Sequence, residues 1–95
     1  MRVEWSPLAL ADREAIFDFS QTRNQRVAVV RDQYIADTVR RLRLFPEIGR
    51  HGRVQGTREL VVHGAPFIVA YRIEDLTITI LRVLHSSRRW PGSID

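Results

Sequence analysis

His85 closes an apolar run, Ile80-Leu81-Arg82-Val83-Leu84-His85, and the tail Ser86-Ser87-Arg88-Arg89-Trp90-Pro91 follows at once. A histidine at a strand end can serve as general acid or base near neutral pH, or it can be a rim residue without chemistry. Arg58, Arg72 and Arg82 each lie within or at the end of an apolar run, with Glu59 beside the first of them. A guanidinium in such a setting requires a carboxylate or water as partner. One reading pairs Glu59 with Arg72 or Arg82 across neighbouring strands; the other makes the arginines a groove for an anionic partner. Arg88-Arg89-Trp90 joins charge to an aromatic face, as anchors for nucleic acid or peptide do. Alternatively, Trp90 and Pro91 fold back over the core and leave both arginines in solvent. Gly49 and Gly52 with Arg50 and Arg53 offer only a weak phosphate cradle.

Much chemistry is excluded. The chain has no cysteine, and His51, His63 and His85 lie too far apart in sequence for metal-ligand spacing. No cofactor or metal is expected. No stretch approaches the roughly 20 apolar residues that span a bilayer, and the opening residues Met1 to Pro7 contain no apolar segment. The expected location is therefore the cytoplasm, with no membrane contact. A net charge of +4 and a pI near 10.9 imply an anionic partner, either nucleic acid or an acidic protein. All fifteen basic residues are arginines. Arginine's fork suits phosphate and carboxylate, although a GC-rich genome gives the same bias.

The elements that must position these groups follow from periodicity. At 95 residues the chain is expected to form one domain over 1–95. Met1 to Trp5 alternates as a short strand, and Ser6-Pro7 is a helix start, with serine as cap and proline at the first helical position. Leu8, Ala11, Ala15, Ile16 and Phe19 form one face of a first helix ending near Ser20 to Asn24; Asp12 falls inside that stripe as a flaw. A second helix runs from about Gln25 to Leu44, with Val27, Val30, Tyr34, Ile35, Thr38, Leu42 and Phe45 as its buried face. Pro46 stops it, and Glu47 to Gly56 reads as a loop. The period then changes to two. Strands are expected over 57–62, 67–73 and 76–85, the middle one apolar on both faces and hence central. The result is an α+β domain in which a helix hairpin packs on one face of a mainly antiparallel sheet.

At these residues the chain resembles the RelE/ParE toxin superfamily over nearly its whole length. Val3-Glu4-Trp5-Ser6-Pro7 followed by Ala9, Ala11 and Asp12 is similar to the family's opening. Leu42 with Phe45-Pro46-Glu47-Ile48-Gly49-Arg50 resembles its helix-end signature. Gly56-Thr57-Arg58-Glu59-Leu60, Phe67-Ile68-Val69-Ala70-Tyr71-Arg72 and Ile80 to His85 with Arg88 resemble its strands and tail. The resemblance implies the strand-helix-helix-strand-strand-strand fold and the toxic half of a type II toxin–antitoxin module. It also implies a cognate acidic antitoxin that folds on binding and supplies any contact with operator DNA.

Two mechanisms live on this fold. RelE-like members cut messenger RNA on the ribosome, and ParE-like members poison DNA gyrase. The arginine that RelE-like nucleases carry in the third strand is replaced here by Ile68, and a second expected basic residue falls near Ser86. Loss of cationic groups at a scissile phosphate typically costs about 10²-fold or more in rate. The ParE-like reading is therefore preferred, with Arg72, Arg82, Arg88, Arg89 and Trp90 as the surface for gyrase. In the nuclease reading His85 is general acid or base, Glu59 the complementary base, and Arg72 or Arg82 the phosphate clamp, with ribosome and mRNA as partners.

Overall fold

The computed structural model describes residues 1–91 and 94. Strand β1 (Arg2–Trp5) alternates exposed Arg2 and Glu4 with half-buried Val3 and Trp5. Ser6 ends it and starts α1 (Pro7–Gln21): its hydroxyl accepts a hydrogen bond from the Ala9 N–H at 3.0 Å and donates to the Leu81 carbonyl at 2.9 Å. Asn24 caps α2 (Gln25–Leu44) by accepting from the N–H groups of Arg26 and Val27 at 2.9 and 3.3 Å. Arg13 on α1 forks onto Asp32 on α2 at 2.7 and 3.0 Å and lies over the Trp5 ring, tying the hairpin to β1.

The remaining strands are β2 (Arg50–His51), β3 (Arg58–Val61), β4 (Phe67–Glu74) and β5 (Thr77–His85), in spatial order β1-β5-β4-β3-β2. β1 runs parallel to β5, and all other pairings are antiparallel. The expected architecture is present with one addition. The segment expected to be loop, Glu47 to Gly56, carries the edge strand β2, paired through Arg50 opposite Glu59 and His51 opposite Arg58. Two residues are too few to produce a period-two pattern, so this strand has no sequence signal of its own.

The helices cover one face. Ile35, Leu42, Tyr71, Ile78, Ile80 and Val83 form the main core between helices and sheet. Across the sheet Ala70, Leu81 and Ile94 form a smaller cluster, against which Val54 and Trp90 pack. The buried stripes differ from the expected ones. α1 buries Ala9 and Ser20 and leaves Leu8 and Phe19 exposed, while α2 buries Ala28, Ile35, Thr38, Val39 and Leu42 and leaves Val27, Val30, Tyr34 and Phe45 more than a third exposed. Both helices carry more apolar residues than one stripe can hold. Small residues win the tight face, and the surplus remains in water.

Candidate functional site

β1 ends beside Ile80, so the next residues of β5 lose a strand neighbour on that side. Ser6 takes the Leu81 carbonyl, and Asp12 on α1 takes the Val83 N–H at 2.9 Å. Asp12 also forks onto Arg82, at 2.7 Å from Nε and 2.9 Å from Nη2. Both side chains are largely shielded, at 14% and 13% exposure. The hydrogen bond to Asp12 holds the Arg82 guanidinium above its usual pKa, against the opposing effect of burial. The pairing is assisted by a register shift: Ala70 faces Arg82 and Tyr71 faces Ile80, which leaves Leu81 as the extra residue of a bulge. The apparent flaw in the helix stripe is thus the partner of the arginine in the apolar strand.

Glu59 does not pair as expected with Arg72 or Arg82. It faces Arg50 of β2 in register, and Arg50 Nη2 lies 3.0 Å from its Oε1. The Arg53 N–H donates to Oε2 at 2.8 Å, and Arg53 Nε stands 3.6 Å away. The Arg53 guanidinium also covers the Trp90 ring at 4.0 Å. Only 1% of the Glu59 side chain reaches solvent. Arg72 projects from β4 on this face toward Glu74, 3.5 Å away. Trp90 packs inward, its Nε1 buried with no hydrogen-bond acceptor among the described residues, and Arg88 and Arg89 stand in solvent.

His85 lies on the other face. It is opposite Phe67, a residue of the main core, and meets that ring edge-on at 5.6 Å. Glu59 is opposite Ala70, a residue of the second cluster. Phe67 and Ala70 are three positions apart on β4, so their partners point to opposite sides of the sheet. His85 Nδ1 is engaged by Ser87, whose hydroxyl is 2.8 Å away. Around His85 opens a groove of about 380 Å³ with an apolar floor of Ile16, Phe19, Phe67 and Val83 and a cationic rim of Arg23, Arg31 and Arg88. Arg23 stacks on Phe19 and Arg31 on Phe67, so the rim charges are held over the floor. The sequence did not single out Arg23 or Arg31, and it placed Phe19 in the buried stripe of the first helix, whereas Phe19 is exposed; their signal was an arginine-bearing helix with surplus apolar residues. Among the described residues no cluster of three metal-ligating side chains occurs, and no helix is long and apolar enough to cross a membrane.

The family model for the ParE toxin of the type II toxin–antitoxin system parDE matches residues 3–90. The chain belongs to the ParE toxin family. A candidate toxin of Sinorhizobium fredii (strain NBRC 101917 / NGR234), Y4kP, is 33% identical over 90 residues, covering 95% of this chain and 93% of that one. A chain from the chromosomal ParDE toxin–antitoxin system of P. aeruginosa matches with a TM-score of 0.82 at 30% identity, over 90% of this chain and 95% of that chain.

In this ParE-family toxin the helix-end signature has a structural explanation. The Tyr71 hydroxyl donates to the Pro46 carbonyl at 2.7 Å and accepts from the Gly49 N–H at 3.0 Å. Arg58 Nη1 donates to the carbonyls of Gly49 at 2.8 Å and Glu47 at 3.2 Å. A Cβ at position 49 would stand 2.6 Å from the Tyr71 hydroxyl and 2.9 Å from the Glu59 carbonyl. Glycine is required there for space. Burial is the main reason that the Tyr71 hydroxyl titrates above its usual range. These residues shape the toxin; they offer it no open reactive group.

Proposed function

We propose that this toxin arrests growth in the cytoplasm by poisoning DNA gyrase, and that an acidic antitoxin neutralises it. The supporting observation is the placement of Glu59 and His85 on opposite faces of the sheet. An acid–base pair must reach one substrate from both sides of the same reacting atom, within hydrogen-bond range. A sheet between the two forbids that. Ile68, which occupies the place of the nuclease arginine, is buried in β4, and Arg82 is committed to Asp12.

What remains is a binding surface. Arg72 on the open face and Arg88 and Arg89 in the tail give it positive charge; Arg82 and Trp90 support it from beneath, one on Asp12 and the other on the second cluster. The apolar floor and arginine rim of the groove beside His85 suit an acidic amphipathic segment of the antitoxin, which would fold as it binds. Operator DNA would be contacted through the antitoxin.

A second reading, ribosome-dependent cleavage of messenger RNA, draws on one observation: His85 shares its groove with Arg31 and Arg88. It lacks a free base there, because Asp12, the acid lining that groove, already holds Arg82 and the Val83 N–H. Induction of the toxin without antitoxin decides between the two. Filamentous cells with double-strand breaks and intact transcripts are expected. Ribosome-dependent transcript cuts that His85→Ala abolishes would overturn the gyrase reading.

A further inference from the structure

No helix covers the second face of the sheet, yet its side chains are buried. Glu59, Ile68, Ala70, Leu81 and Leu84 are each 4% exposed or less. Glu59 is opposite Ala70 and Leu84 is opposite Ile68, two positions along β4 from Ala70 and so on the same side. Among the described residues, the roof over Ala70 and Leu81 consists of Val54, Trp90 and Ile94. Two of these three belong to the C-terminal tail.

The tail reaches that roof with little backbone help. The Ser86 N–H donates to the Pro66 carbonyl and the Arg88 N–H to the His85 carbonyl. Beyond Arg88, no backbone-to-backbone hydrogen bond holds the chain among the described residues. The seat of Trp90 therefore depends on side chains, and Arg53 is the polar one: its guanidinium lies over the indole, 4.0 Å from the ring centre.

Arg53 is itself fixed from below. Glu59, with 1% of its side chain in solvent, accepts the Arg53 N–H at 2.8 Å and has the Arg53 Nε 3.6 Å away. The turn carrying Arg53 is tightly closed. The Gly52 N–H donates to the Thr57 carbonyl at 2.8 Å, and the Thr57 hydroxyl donates to the Val54 carbonyl at 2.6 Å. A Cβ at position 52 would stand 2.2 Å from that hydroxyl oxygen. The glycine and arginine stretch that offered a weak phosphate cradle thus serves another purpose: it holds one guanidinium between a buried carboxylate and an indole. Such a preordered seat removes freedom from the chain it grips, here the tail in which Arg88 and Arg89 immediately precede Trp90.

We infer that Arg53 is a positioning residue: set between Glu59 and Trp90, it clasps the tail to the sheet and fixes the place from which Arg88 and Arg89 meet the target. The inference rests on the proposed action on gyrase. Trp5→Phe, which keeps a ring under Arg13, leaves Trp90 as the sole tryptophan. In that background, acrylamide quenching of fluorescence is expected to rise about threefold in Arg53→Ala as the tail opens. Arg53→Lys still lays a cation over the ring and is expected to fall between the two. Arg50→Ala takes a neighbour from Glu59 but leaves Arg53 on the indole; it is expected to lower the melting midpoint with quenching unchanged. The same proteins are titrated against gyrase holoenzyme and supercoiled plasmid. Arg53→Ala is expected to need about fivefold more toxin for half-maximal plasmid cleavage, and Arg53→Lys less than that. Unchanged quenching in Arg53→Ala, or an equal rise in Arg50→Ala, overturns the clasp. A freed Trp90 with an unchanged titration overturns the positioning role and leaves the gyrase reading intact. A toxin with Arg53 in place that leaves the plasmid uncut overturns the gyrase reading and the positioning role together.

Discussion

Asp12 and Arg82, seventy positions apart in the chain, meet in a two-pronged ion pair at 2.7 and 2.9 Å, and the same carboxylate accepts the Val83 N–H. The pair fastens the first helix to the last strand where β1 has ended. Removing either side chain leaves a shielded charge without its partner. Asp12→Ala also orphans a backbone N–H. Each single variant is expected to lose about 2–4 kcal/mol of stability in urea unfolding. In a double-mutant cycle with Arg82→Ala the coupling is expected to exceed about 1 kcal/mol. Single losses below about 0.5 kcal/mol would show that the fork contributes little.

Tyr71 supplies a pH dependence. Its hydroxyl titrates above the usual tyrosine value because of burial. The folded state therefore keeps its proton at pH values where the unfolded chain has lost it. The associated stability is fully present below about pH 10, the unfolded value, and is lost as pH rises through the raised folded value. Tyr71→Phe is expected to cost about 1–2 kcal/mol at neutral pH, through the Gly49 N–H and the Pro46 carbonyl left without the hydroxyl. It is also expected to flatten the alkaline decline. Melting curves from pH 7 to 11 check this, and an equally steep decline in the variant would refute it.

Glu59, buried between Arg50 and Arg53, is expected to act as a structural acid. Glu59→Gln keeps the shape and removes the charge that Arg50 and Arg53 share. A stability loss of about 1–3 kcal/mol is expected, with growth arrest on induction retained at permissive temperature. An inactive but fully folded variant would instead restore Glu59 as a catalytic base.

The groove beside His85 makes its own forecast. Phe19→Asp places an acid on the apolar floor, where it would repel an acidic segment and weaken its burial. The complex with the cognate antitoxin is expected to weaken by about tenfold or more. Co-expressed antitoxin should then fail to rescue growth. Unchanged affinity by calorimetry would move the antitoxin off this surface.

Much of the architecture was legible in the sequence, because local chemistry set it. Ser6-Pro7, Asn24 and Pro46 punctuate the helices through their own backbone preferences, and the apolar alternation after Thr57 announces the sheet. Side-chain partners were less legible. Asp12 in an apolar stripe and Arg82 in an apolar strand were each visible as misfits, but their match depends on the bulge at Leu81 and on where β1 stops. Glu59 was read against Arg72 and Arg82 on the later strands. Its actual partners lie in the segment taken as loop, where β2 is too short to have a pattern. The buried stripes of α1 and α2 were only partly placed, with Ile35, Thr38 and Leu42 right and Leu8, Phe19, Val27, Val30, Tyr34 and Phe45 too exposed, for a related reason: surplus apolar residues make two faces look alike, and only the packing of Ala9 and Ala28 separates them. The resemblance to the toxin superfamily rested on motifs that prove to be largely structural, which explains why it fixed the family more firmly than the target.

The sheet order carries a consequence for timing. β5, the last strand to be made, sits between β1, the first, and β4. Until Thr77–His85 has emerged from the ribosome, β1 has no neighbour, Ser6 and Asp12 have no strand to cap, and Ile78 and Ile80 are missing from the core. A fold closed by its two ends cannot assemble piecemeal during synthesis. A chain cut short before His85 is therefore expected not to fold, and so not to be toxic. A cell that makes a poison of this design has until the final strand to have the antidote waiting.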